Sequence, residues 1–209
     1  RARASIIWWS LFCLLIRWWY HQFYKHISWL ITYQDTAYQE VIVRTMNRED
    51  NKPVKIFHTN RAFASGIYTD TKESPFDYLK EIQSITHTIK PKNILVIWTA
   101  WFTYPYRLSK LDYVEQIDAI DIDWSLKEIA ETYFLEEKLN KKISFYPDSA
   151  RYFINKAIKE WKSYDLILLD AYNGKTLPDE LATVEFFDWI KQLTAINWIV
   201  TANFILDSN

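Results

Sequence analysis

Three stretches of this chain put aspartate directly after a short apolar run. They are Ala119-Ile120-Asp121-Ile122-Asp123, Phe145-Tyr146-Pro147-Asp148 and Leu166-Ile167-Leu168-Leu169-Asp170. Each apolar run has strand length and composition, so each acid falls where a strand ends. If the strands are parallel, their ends converge on one rim. A carboxylate after the second strand of such a sheet suits a ribose diol, because it accepts two hydroxyl hydrogens. One after the third suits an exocyclic amine. One after the fourth suits a general base, or an anchor for a cationic amine. Any single strand-end aspartate is as readily a turn former or a helix cap. Three in order on successive strands favour the chemical reading.

The elements that must position these acids alternate in type. The run Asn93-Ile94-Leu95-Val96-Ile97 reads as a buried strand that enters the loop Trp98-Thr99-Ala100-Trp101-Phe102. The patterning then predicts a short helix near 105–111, a strand at 117–122 and a helix near 125–138. A strand at 143–146, a helix near 149–160 and a strand at 165–169 follow. A helix near 184–193, capped by Thr183, and a strand at 199–205 complete the series. This alternation predicts an α/β fold with a doubly wound, mostly parallel Rossmann-like sheet. Ahead of it, Tyr38–Arg44, Val54–Phe57 and Arg61–Tyr68 predict a small N-terminal antiparallel β-element. Ser74-Pro75 predicts the start of a helix closed by Pro91. Tyr104 and Tyr106 could line a pocket, although core packing is the commoner fate of such residues. The expected division is an apolar segment over 1–32, a small β-sheet over 33–72, and a nucleoside-binding domain over 73–209.

Composition is unusual in two residues. The chain has 2 glycines and 11 tryptophans, where average usage gives roughly 15 glycines in this length. Several tryptophans stand where glycine would be useful. Trp98 and Trp101 follow a strand, Trp124 follows Asp123, Trp161 separates a helix from a strand, and Trp198 precedes the last strand. Many of these positions are therefore expected to be glycine in the natural protein. A gene that uses UGA for glycine, read with a table that takes UGA as tryptophan, gives this pattern.

The net charge of −1 offers no electrostatic argument for a nucleic-acid partner. One cysteine excludes an intrachain disulfide and fits a reducing, cytoplasmic compartment. Four scattered histidines have no metal-site spacing, so no metal is expected. Residues 6–16 are apolar apart from Ser10, with tryptophan pairs at 8–9 and 18–19. Such a run predicts an N-terminal apolar helix, with membrane contact through 5–20 as one expectation. Eleven helical residues rise about 16 Å against a hydrocarbon core of about 30 Å, which argues against a full span. A start at Arg1 and an end soon after an apolar run lead to the expectation of a fragment that lacks C-terminal strands.

Over about residues 33–209 the chain resembles the spermidine synthase (aminopropyltransferase) family, within the class I S-adenosylmethionine-dependent methyltransferase fold. The resemblance is carried by Tyr38-Gln39-Glu40-Val41, by Ile94–Ile97 with its loop, and by Ala119–Asp123. Asp148-Ser149-Ala150-Arg151, Tyr164–Asp170 and Leu181-Ala182-Thr183-Val184-Glu185-Phe186 carry the rest. It implies an enzyme of polyamine synthesis that moves an aminopropyl group from decarboxylated S-adenosylmethionine to a small-molecule amine acceptor. It also implies that Gln39 faces the nucleoside and that Trp98, Ala100 and Trp101 form the cofactor loop. Asp121 would take the ribose hydroxyls, Asp148 and Ser149 the adenine, and Asp170 the attacking amine. Tyr172 and Asn173 would lie on the acceptor side, and a homodimer is a further expectation.

The chain departs from the family pattern in four places. The loop 98–103 lacks the acid that anchors the aminopropyl amine, even with glycine restored at 98 and 101. A Tyr-His-Glu segment is replaced near Phe76-Asp77-Tyr78, a glutamine near Ala64-Ser65, and a second aspartate by Asn173. Two alternatives stand beside the transferase: a methyltransferase using S-adenosylmethionine itself, and a degenerate, non-catalytic nucleoside-binding module.

Overall fold

The computed structural model describes residues 29–48, 51–60, 62–170 and 178–202. The apolar segment of residues 5–20 lies outside them, as do Tyr172 and Asn173. Among the described residues no helix is long and apolar enough to cross a membrane.

Two sheets organise the described residues. The first is antiparallel, with strands β1 (Trp29–Asp35), β2 (Glu40–Asn47), β3 (Pro53–Thr59) and β4 (Ala62–Tyr68) in chain order. It opens four residues earlier than the sequence pattern predicts, with Trp29 and Leu30 paired to Thr45 and Arg44. Helix α1 (Asp77–Ile89) follows. It starts later than Ser74-Pro75 suggests: the Ser74 hydroxyl accepts from the Phe76 amide at 3.2 Å and closes a turn ahead of the helix.

The second sheet is wholly parallel. Its strands are β5 (Asn93–Ile97), β6 (Gln116–Ile120), β7 (Ile143–Tyr146), β8 (Tyr164–Leu169) and β9 (Thr194–Ala202), in the spatial order β7-β6-β5-β8-β9. The helices between them are α2 (Thr103–Leu108), α3 (Leu126–Ile129, continued as a wider π turn over Ala130–Phe134), α4 (Ala150–Lys159) and α5 (Val184–Gln192). The doubly wound α/β fold read from the sequence is the fold observed. Helix α2 begins two residues before its predicted start. β9 begins five residues before its own, with a register shift against β8 between Tyr164 and Leu166.

Both faces of the parallel sheet are covered, which explains why its strands read as unbroken apolar runs. Side chains alternate across a strand. Ile94 and Val96 face one core with Phe134 and the N-terminal sheet residues Val41, Val43 and Phe57. Leu95 and Ile97 face a second core with Phe153 and Ile154 of α4 and Phe186 and Ile190 of α5. The two caps are satisfied locally: Ser149 accepts from the Tyr152 amide, and Thr183 from the Phe186 amide at 3.1 Å.

Candidate active site at the carboxyl rim of the parallel sheet

Chain order runs outward from β5 through β6 to β7, then returns to β8 on the other side of β5. The order therefore reverses between β5 and β8. Ligands of open α/β sheets bind in the crevice beyond such a switch point. The β5 loop and Asp170 flank it here, and the Asp170 amide donates to the Ile97 carbonyl at 3.1 Å.

Asp170 is half-buried. The Tyr78 hydroxyl, from the first turn of α1, donates to its Oδ2 at 3.4 Å. Burial and the neighbouring carboxylate hold the Tyr78 phenol well above its ordinary pKa, so it remains a donor at neutral pH. The sequence reading treats Phe76-Asp77-Tyr78 only as an altered segment. Tyr78 shares the apolar stripe of α1 with Ile82 and Ile89 and so reads as packing, and 92 positions separate it from Asp170, so no local pattern joins the two.

Asp121 is 9% exposed. Its Oδ1 accepts from the Asp123 amide at 3.1 Å, and its Oδ2 from the Thr99 amide at 3.5 Å. Burial pushes its carboxyl up to about 7, only partly offset by those two amides. A buried acid on the verge of ionisation, beside the β5 loop, is a ready acceptor for a ligand diol.

Asp123 is fully buried and has a different role. Its Oδ2 accepts from Thr36 Oγ1 at 2.6 Å and Gln39 Nε2 at 3.2 Å. Its Oδ1 accepts from the Ser125 amide at 3.1 Å and the Ser125 hydroxyl at 2.6 Å. This carboxylate ties the β1–β2 turn to the rim. Gln39, expected to face a nucleoside, sits within that network. Asp148 is half-buried at the end of β7, and the exposed Ser149 caps α4 beside it. The structure thus brings Gln39, Asp121 and the loop 98–101 together, with Asp170 across the switch point and Asp148 one strand beyond.

The loop itself is tightly drawn. The Trp98 amide donates to the Ile120 carbonyl at 2.9 Å, and the Phe102 amide to the Thr99 carbonyl at 2.8 Å. Ala100 starts the 3₁₀ turn Ala100–Phe102. The Trp101 ring stacks on Phe57 with centroids 3.8 Å apart. Among the described residues the buried Thr99 hydroxyl has no hydrogen-bond partner.

Tyr104 and Tyr106 are mostly buried and also border a cavity of about 300 Å³ with Glu73, Gln83, Arg107 and Lys110. None of Asp121, Asp148 and Asp170 lines it. Among the described residues no cluster of His, Cys, Asp and Glu could hold a metal ion.

Comparison with known proteins agrees with this fold. No protein-family model matches the chain. The polyamine aminopropyltransferase of Vibrio vulnificus (strain CMCP6) is 35% identical over 115 residues, covering 54% of this chain and 38% of that enzyme. A probable spermidine synthase from Corynebacterium glutamicum ATCC 13032 superposes with a TM-score of 0.66 at 15% identity, over 82% of this chain and 62% of that one. A spermidine synthase in complex with the transition-state analogue AdoDATO has a TM-score of 0.61 at 17% identity, over 83% and 57%. The spermidine synthase from Thermotoga maritima has the same TM-score and identity, over 83% and 56%. The chain thus aligns with well under half of the curated relative and between half and two thirds of each solved structure. The resemblance to spermidine synthases read from the sequence is borne out, and the fold is theirs.

Proposed function

We propose that the protein is a spermidine synthase-like transferase, moving the aminopropyl group of decarboxylated S-adenosylmethionine to a small-molecule amine. The observation that carries this reading is Asp170 at the switch point, bonded by Tyr78 and joined through its amide to Ile97 at the end of β5. The 35% identity to a polyamine aminopropyltransferase supports it.

In this reading the acceptor nitrogen attacks the aminopropyl carbon attached to sulfur. The new C–N bond forms as the C–S bond breaks, and the bonding pair leaves with sulfur as methylthioadenosine. The nitrogen sheds its surplus proton to the Asp170 carboxylate, and Tyr78 orients that carboxylate. Asp121 receives the ribose hydroxyls, with Gln39 held beside it through Asp123. Asp148 and Ser149 stand on the adenine side, the backbone of Trp98, Ala100 and Trp101 supports the nucleoside, and Tyr172 and Asn173 serve the acceptor side.

Calorimetric titration with decarboxylated S-adenosylmethionine, S-adenosylmethionine and methylthioadenosine tests the reading. Tightest binding of the decarboxylated form supports it. Preference for the carboxylated form would point to methyl transfer, and binding of none would leave a non-catalytic module.

A further inference from the structure

Backbone geometry separates the tryptophans into two kinds. Nine non-glycine described residues have positive φ, and three of them are tryptophans: Trp98 (60°), Trp101 (59°) and Trp161 (57°). Tryptophan makes up only 11 of the 209 residues. The left-handed region crowds a Cβ against the following carbonyl, so a bulky side chain there is an outlier while glycine enters freely.

Trp161 gives the clearest local case. Helix α4 ends at Lys159, and Glu160 caps it. The Trp161 amide donates to the Ile158 carbonyl at 3.1 Å, and the Lys162 amide to the Ala157 carbonyl at 3.0 Å. These two bonds form a Schellman motif, and Trp161 occupies its left-handed position, where glycine is the usual residue. The Trp161 side chain is 92% exposed, so no packing compensates for the aromatic ring. Trp98 and Trp101 repeat the conformation in the β5 loop, where a ligand must approach the backbone closely.

Trp189 differs in its backbone, although Trp98 and Trp101 also pack against a core. It lies inside α5 with ordinary helical geometry and packs against the second core. The Arg151 guanidinium lies 4.4 Å from its ring centroid.

We infer that residues 98, 101 and 161 are glycine in the protein as its own source makes it, and that Trp189 is a true tryptophan. Glycine at 98 and 101 then leaves the β5 loop as bare backbone and removes one indole from each of the two cores. This inference does not depend on the proposed transferase activity, since it rests equally on Trp161 at the far end of α4.

Peptide mass spectrometry of the protein purified from its natural source tests it. The tryptic peptide spanning residues 93–107 reports positions 98 and 101 together, the peptide spanning 176–191 reports position 189, and a Glu-C digest reports 161. Glycine at 98, 101 and 161 with tryptophan at 189 is the expected result. Tryptophan at any of the first three, or glycine at 189, overturns the assignment. The readout is a residue mass, so it stands whether or not any nucleoside binds.

Discussion

Thr36 and Asp123 meet across 2.6 Å, hydroxyl to carboxylate, although 87 positions separate them. The turn between the first two strands is thereby fastened to the carboxyl rim of the parallel sheet. Asp123 is fully buried, and Thr36, Gln39 and Ser125 around it are half-buried. Asp123→Ala should cost about 2–3 kcal/mol, because the hydrogen bonds that Thr36, Gln39 and Ser125 make to a charged, buried acceptor are lost. Urea unfolding measures this. A double-mutant cycle with Thr36→Val should show a coupling of about 1 kcal/mol or more. Additive losses would remove the link.

Asp121 predicts a specific response to pH. Its folded-state carboxyl titrates near 7, above the ordinary value of an unfolded aspartate. The folded state therefore holds the extra proton, and this contribution is fully present below about pH 4. It is lost as pH rises through about 7. Asp121→Asn should flatten that part of the stability profile, as read by thermal unfolding from pH 5 to 8. A diol that donates to the ionised carboxylate should also release a proton on binding near pH 6.5. Calorimetry in buffers of different ionisation enthalpy detects the release, and its absence in Asp121→Asn assigns it.

Tyr78 predicts a split between binding and turnover. Tyr78→Phe removes one hydrogen bond to the Asp170 carboxylate. An interaction with a charged group of about 1.5 kcal/mol corresponds to roughly a tenfold loss of kcat. Nucleoside affinity should be unchanged, because the Tyr78 hydroxyl donates to Asp170 and not to Asp121 or Asp148. Loss of affinity with kcat retained would assign Tyr78 to the ligand instead.

Trp161 and Trp189 predict opposite responses to the same substitution. Trp161→Gly relieves a left-handed side chain and should stabilise by about 1 kcal/mol, raising Tm by about 2–4 °C. Trp189→Gly removes a partly buried indole and places glycine in a helix, and should destabilise by about 3 kcal/mol. Differential scanning calorimetry of the two variants gives both signs.

Much of the fold is legible in the sequence because each β/α unit carries its own punctuation. The strand at 143–146 and the Thr183 cap agree with the pattern to the residue. The strand-end acids are legible for the same reason, since apolar runs stop where polar rims begin. Trp29–Asp35 is not legible as a strand, because it is an edge strand that leaves Trp29, Leu30 and Tyr33 exposed and so lacks the alternation of a half-buried one. Nor is the division of labour between Asp121 and Asp123, two residues apart on one strand end: only tertiary partners distinguish the acid left for a ligand from the acid consumed by Thr36, Gln39 and Ser125. Tyr78 is hidden likewise, because its partner is remote in sequence.

The account turns on aminopropyl transfer at Asp170. Protein carrying glycine at 98, 101 and 161, incubated with decarboxylated S-adenosylmethionine and a panel of aliphatic diamines, should release methylthioadenosine. Liquid chromatography quantifies the nucleoside. Asp170→Asn should abolish its release while nucleoside binding persists. Undiminished release from Asp170→Asn, or methyl transfer from S-adenosylmethionine in place of aminopropyl transfer, would contradict the account.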